Sequence, residues 1–293
     1  MRFACIDIGS NTTRLLVADV VRPAGREWEL SPVVERRAFT QLGRACRAGG
    51  PVPEATRDAL AAVVAGQAQE ARLLGAEKLR VVATAALRRS ADGLATCHAL
   101  AAAAGAPVEL LSEHDEARLA FGGATCALDG PDSPLAVVDV GGGSAQVVVG
   151  TCAGGASWSV SLPLGSGDLA AAHLRSDPPD SAELAALQTA VDEMLAGVAI
   201  PPVERALAVG GSATSLRRLA GARLEPVTLA GALATLVAAP AADVAKQLRI
   251  APERARLLPA GIVVLAAMAG RLGPLDVARG GLREGVLREL ATG

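Results

Sequence analysis

Near its start the chain alternates short apolar runs with polar breaks. Residues 3–8 and 15–21 read as β-strands, and 28–38 as a third. The first two are separated by an odd interruption. In "IDIGSNTTRLLV" the apolar run stops at Asp7, passes through Gly9-Ser10-Asn11-Thr12, and resumes at once. Pro53 then opens an Ala-rich helix to about Leu74, with Leu60, Val63, Val64, Ala71 and Leu74 near one face. A strand follows at 79–85, a helix over 91–104 and a strand at 108–112. Ser112 starts a further helix. Ser112 and Asp115 have the spacing of a capping box, Asp standing for the usual Glu or Gln, and Glu113 and Glu116 suit the positive end of the helix dipole.

The opening pattern then returns. "VVDVGGGSAQVVVG" (137–150) again runs strand, Asp, Gly-rich turn, strand. Asp139 falls on Asp7, Gly141 on Gly9, Ser144 on Thr12 and Gln146 on Arg14, an offset of 132 residues from 7 to 139. That spacing is about one domain, so the repeat predicts two similar α/β domains facing each other across a cleft. Beyond it come a strand near 157–162, helices near 166–174 and 181–198, and a strand at 205–211. The remainder, 212–291, reads as mostly helical, and "RSDPPDS" (175–181) as a loop. The apolar stretch Leu257–Leu272, interrupted by Pro259, Gly261 and Arg271, reads as a buried helix too short to cross a bilayer.

A length of 293 residues agrees with two domains rather than one core. The net charge of −2 and the lack of a basic tail argue against nucleic acid, and 2% aromatic residues with no Tyr argue against stacking on bases. The five cysteines are scattered without metal or redox spacing, which predicts reduced thiols in a cytoplasmic chain. The N-terminus enters a strand directly, with no signal region, so no membrane partner is expected.

The two Asp-x-Gly turns carry the first chemistry. A strand ending in Gly-rich backbone aims several N–H groups at one point, which suits phosphate oxygens. An Asp on the strand repels phosphate directly but holds Mg²⁺ (or Mn²⁺), usually through water, and the cation bridges to phosphate. A single copy reads equally well as a hairpin with an Asp turn cap. Two matched copies favour phosphate. A third turn, Gly210-Gly211-Ser212, leads from a strand into a helix whose free N–H groups suit an anion, although Gly-Gly-Ser is also a common loop. In "VVATAALRRS" Arg88 sits past a strand end where it could reach an anion, with a solvated basic loop as the rival reading. Glu116, if Asp115 closes the cap, is left to orient a water, with plain helix-start chemistry as its rival. No G-x-x-x-x-G-K-[ST] or H-E-x-x-H sequence occurs, and His98, His114 and His173 lack metal spacing.

Together these stretches resemble the exopolyphosphatase/guanosine pentaphosphatase (Ppx/GppA) family, nearly end to end. "IDIGSNTTRLLV" and "VVDVGGGSAQVV" are similar to its two phosphate loops, "ATAALRRS" to its Thr-x-x-x-Arg segment and "LLSEHDEARLAF" to its acidic stretch. "SLPLGSGDL" resembles the strand and turn that follow the second loop, "AVGGSATSL" the third loop, and "GGLREGVLREL" the closing helix. The resemblance implies an α/β fold of two actin-like (ribonuclease H-like) domains flanking a central cleft. Domain one would cover 1–124 plus 276–293 and domain two 125–275. It implies a Mg²⁺-dependent bacterial hydrolase of phosphoanhydride bonds, acting on inorganic polyphosphate, short chains preferred, or on guanosine pentaphosphate. Guanosine tetraphosphate is a further ligand it brings in, and oligomeric state stays open, a homodimer included.

By the same resemblance Glu116 is the catalytic base. Gly9, Ser10, Asn11, Thr12, Arg88, Gly141, Gly142, Gly143, Ser144, Gly210, Gly211 and Ser212 bind phosphate, and Asp7 and Asp139 associate with the metal. The chain departs from the family pattern at Glu113, where Gly is usual, at Asp115, which replaces a Glu, and at Gln146, which stands where a Glu is expected. Gln hydrogen-bonds, so Gln146 remains an auxiliary candidate, but it neither acts as a base nor neutralises Mg²⁺. Two alternatives follow: a non-catalytic sensor of an alarmone or polyphosphate, which Gln146 favours, and a phosphotransferase of the same fold.

Overall fold

The computed structural model describes residues 1–21, 29–46, 49–128 and 132–292. The chain divides into two compact units, Met1–Pro131 with Gly280–Gly293, and Asp132–Arg279. Chain return to the first unit falls at Gly280 rather than 276, because a strand at Leu275–Val277 hydrogen-bonds into the second unit's sheet.

The first unit opens with an antiparallel meander, β1 (Arg2–Ile8), β2 (Thr12–Val21) and β3 (Glu29–Phe39). Position 28, expected to begin the third strand, lies outside the described residues. After the short α1 (Leu42–Ala45) and the long α2 (Glu54–Leu73) comes β4 (Lys78–Ala83), parallel to β1. Then follow α3 (Ala85–Arg89), α4 (Gly93–Ala104), β5 (Val108–Leu110) parallel to β4, and α5 (Glu113–Thr125). The sheet order is β3-β2-β1-β4-β5. Alternation on β1 and β2 sends Ala4, Ile6, Ile8, Leu15 and Val17 to a core with Leu60, Val64 and Ala68 of α2 and Leu100 of α4. Phe3, Cys5, Leu16 and Ala18 face the other way, onto Leu119 of α5 and Val286 and Leu287 of the last helix (Leu282–Thr292).

The second unit repeats the meander as β6 (Leu135–Val140), β7 (Ala145–Thr151) and β8 (Gly155–Leu162). It continues with α6 (Ser166–His173), α7 (Ser181–Ala196), β9 (Arg205–Val209) and α8 (Gly210–Ala220). The expected strand at 205–211 therefore ends two residues early, since helix begins at Gly210. The region expected to be mostly helical also holds two short strands, β10 (Arg223–Leu224) and β11 (Leu275–Val277), around α9 (Pro226–Leu236), α10 (Ala241–Leu248) and α11 (Pro252–Leu272). With α12 (Leu282–Thr292) the chain closes. The second sheet runs β10-β11-β9-β6-β7-β8.

α11 is longer than its sequence suggests and passes through Pro259. Proline there removes one backbone donor, but tertiary packing outweighs the loss. Leu258, Ile262, Val264, Leu265 and Met268 are buried in the second unit's core. Among the described residues it is the one unbent helix long and apolar enough to cross a membrane, yet most of that apolar surface lies inside the unit.

Candidate active site

The two Asp-x-Gly turns are built alike. Asp7 is the cross-strand partner of Arg14, and Asp139 that of Gln146. The Gly9 amide donates to the Thr12 carbonyl at 3.0 Å, and the Gly141 amide to the Ser144 carbonyl at 3.0 Å. A following helix secures each turn at matching positions: the Gly43 amide donates to the Ser10 carbonyl at 2.7 Å, and the Gly167 amide to the Gly142 carbonyl at 2.9 Å. With those carbonyls engaged, each turn is held in place. Ser10, Thr12 and Ser144 are buried. Gln146 is buried and its amide donates to the Ser144 hydroxyl at 2.8 Å.

The remaining site groups of the first unit come from the strand ends beside β1. The Thr84 amide donates to the Ile8 carbonyl at 3.2 Å, tying the start of α3 to the end of β1. Thr84 is followed directly by α3, not by a last strand residue, so Arg88 lies on a helix rather than a loop. Its Nη1 donates to the Leu111 carbonyl at 2.9 Å and to Glu116 Oε2 at 2.8 Å. Side-chain exposure is 18% for Arg88 and 10% for Glu116, so this is a sheltered pair and not the solvated basic loop that was the rival reading. Arg88 Nη2 stands 3.7 Å from the exposed Glu113.

The α5 cap takes half of its expected form. Ser112 Oγ accepts from the Asp115 amide at 3.1 Å, and the Ser112 hydroxyl in turn donates to Asp115 Oδ2 at 2.6 Å. The Asp carboxylate, one methylene shorter than Glu, bonds the hydroxyl and not the Ser112 backbone N–H. With Asp115 so engaged, Glu116 points inward to Arg88.

In the second unit, Asp139 and the 210 turn come together. Gly210 has φ +85°, and a Cβ there would lie 2.3 Å from Asp139 Oδ1 and 3.0 Å from the Val140 carbonyl oxygen. Only glycine lets the backbone approach the carboxylate so closely. The Ser212 side chain packs against α11: its Oγ lies 2.5 Å from where a Cβ on Gly261 would stand. Sequence reasoning missed Arg254. It is buried on α11, and its guanidinium nitrogens lie 2.8 and 2.9 Å from a Cβ position on Gly211, at the N-terminus of α8. In the sequence it is one charge in an ordinary helix start, with no motif to single it out.

The two aspartates differ in their surroundings. Burial pushes the Asp7 carboxyl pKa up, Arg14 and Arg283 pull it down, and Glu284 pushes it up again. Burial first, then Arg283 and Arg37, lower the Arg14 pKa to about 10. In the second unit the cross-strand partner of Asp139 is Gln146. Among the described residues no three His, Cys, Asp or Glu side chains form a metal cage. Mg²⁺ bound to phosphate needs only one or two protein carboxylates and keeps its waters. Asp7 and Asp139, each on the strand that leads into its turn, are the two carboxylates that could fill that role.

Two α/β units with paired Asp-x-Gly turns and a glutamate–arginine pair at the strand ends define a phosphate-handling protein of the actin-like fold. The family model for the Ppx/GppA phosphatase family matches residues 17–292, and the chain belongs to that family. It is 35% identical over 232 residues to exopolyphosphatase 2 of Mycobacterium tuberculosis, covering 75% of this chain and 70% of the relative. Exopolyphosphatase 1 of the same organism is 30% identical over 309 residues, covering 99% and 88%. The crystal structure of the Aquifex aeolicus Ppx/GppA family member superposes with a TM-score of 0.81 at 27% identity, covering 100% of this chain and 98% of that one.

Proposed function

We propose that this phosphatase releases terminal phosphate from inorganic polyphosphate, short chains included, and takes guanosine pentaphosphate as an alternative substrate of the same chemistry. The sheltered Glu116–Arg88 pair carries the reading. A surface ion pair would contribute little to stability. This one joins α3, which starts just past the end of β4, to the first turn of α5, and the Thr84 amide before α3 bonds the Ile8 carbonyl at the end of β1. Water attacks the terminal phosphorus and its proton passes to the Glu116 carboxylate. The P–O bond to the rest of the chain breaks, and the bridging oxygen leaves with the electron pair.

Arg88 has five donors, and those not held by Leu111 and Glu116 remain for the phosphate oxygens. Taken unit by unit, the turn at 9–12 in the first, and the turn at 141–144 with the 210–211 backbone in the second, are candidate sources of backbone N–H groups for phosphate oxygens. Mg²⁺, with Asp7 or Asp139 as a protein ligand, would offset phosphate charge.

Phosphate release from short polyphosphate, long polyphosphate and guanosine pentaphosphate, with and without Mg²⁺, tests this. Glu116→Gln should lower release by about 100-fold or more, the scale of a lost general base. Unchanged release by that variant would remove Glu116 from the base role. Gln146, whose amide is committed to Ser144, favours a second reading, a sensor that binds without cutting. Tight polyphosphate binding with no release over hours at any Mg²⁺ level would select it.

A further inference from the structure

Register places Asp7, Arg14 and Arg37 in one row across β1, β2 and β3, all on the same face of the sheet. Cross-strand partners stand roughly 5 Å apart, and like charges directly opposite each other destabilise a sheet. Here two arginines are placed so, and α12 adds a third. Arg283, 7% exposed, donates to the Leu15 carbonyl at 3.4 Å and to Glu35 Oε2 at 3.2 Å. Glu35 is the one acid of β3 among them, and its Oε2 is 3.9 Å from Arg14 Nη2. Among the described residues Arg37 makes no ion pair, and its side chain is exposed. The equivalent row of the second unit reads Asp139, Gln146, Ser161, with no cation. The arginines are therefore no requirement of the repeated hairpin. They lie beside the first turn, whose Asn11 carbonyl accepts from the Thr40 amide three residues beyond Arg37.

We propose that Arg37, acting with Arg14, forms a second phosphate subsite beside the first turn, for a phosphate of the substrate chain other than the one released. The inference rests on the phosphoanhydride reading of the site. A tetrahedral oxyanion between the two guanidiniums removes their repulsion and takes charge-assisted hydrogen bonds from both.

Thermal stabilisation and calorimetric binding would be measured with orthophosphate and with tripolyphosphate, in wild type, Arg37→Ala and Arg37→Lys. The unliganded melting temperature recorded in the same runs checks folding. Arg37→Ala should weaken tripolyphosphate roughly tenfold, leave orthophosphate nearly unchanged, and raise KM for polyphosphate by more than it lowers kcat. Arg37→Lys should recover part of the loss. Tripolyphosphate affinity in Arg37→Ala equal to wild type, with phosphate release intact, overturns the subsite alone. A wild type that neither binds these anions nor releases phosphate overturns the subsite and the hydrolase reading together.

Discussion

At the scale of single residues, the site depends on side chains and on the lack of one. Gly210 holds φ +85° with its Cα against Asp139. Alanine there must adopt a left-handed backbone, costing roughly 1–2 kcal/mol, and its Cβ must also displace the carboxylate. Gly210→Ala should therefore lower the melting temperature by several degrees and reduce phosphate release more than stability. Thermal unfolding beside the release assay would check this. The matching positions of Asp7 and Asp139, and of Arg14 and Gln146, were open to sequence reasoning because both turns share one pattern, Asp-x-Gly between two strands. The nearness of Arg254 to Gly211 was not, because those residues belong to a helix and a turn far apart in the chain.

At the scale of elements, α5 carries Glu116 and is set by glycine contacts with α12. A Cβ on Gly285 would lie 1.9 Å from the Leu119 carbonyl oxygen, and one on Gly123 1.9 Å from the Gly281 carbonyl oxygen. The two helices meet backbone to backbone. Glu289 of α12 adds ion pairs to Arg118 of α5 and, at 2.6 Å, to Arg80 of β4. Gly285→Ala should cost about 1–3 kcal/mol as an overpacked contact and depress activity by shifting α5. Denaturant unfolding would measure the first and phosphate release the second.

The start of α7 makes a pH prediction. Glu183 accepts from the Ser176 hydroxyl first, then from the Ser176, Arg175 and Asp180 amides, which lowers its pKa from 4.5 to about 2. Its folded pKa is depressed, so the stabilisation it gives is full above 4.5 and is lost as pH falls from 4.5 towards 2. Melting curves of wild type and Glu183→Gln should differ at neutral pH and converge across that window.

At the scale of the molecule, each unit has its own core, and α12 belongs to the first although it follows the second in sequence. A chain ended at Arg279 would leave Phe3, Cys5, Leu16 and Leu119 without Val286 and Leu287. Amide exchange protection should then fall in β1, β2 and α5 and persist in β6, β7 and β9. Equal protection in both units would show that α12 is dispensable to the first core.

The repeat at an offset of 132 residues was enough for the sequence alone to determine two similar α/β units, their hairpins and the acids on them. Strand alternation and turn chemistry are local, so they can be read residue by residue. The end of β4 at Ala83 and the helical start at Gly210 were decided by tertiary packing, as was the passage of α11 through Pro259. Packing also paired Glu116 with Arg88 and brought Arg14 and Arg283 to Glu35. Those contacts join residues distant in the chain. Their free energy comes from burial and from charge at close range, which no local pattern encodes.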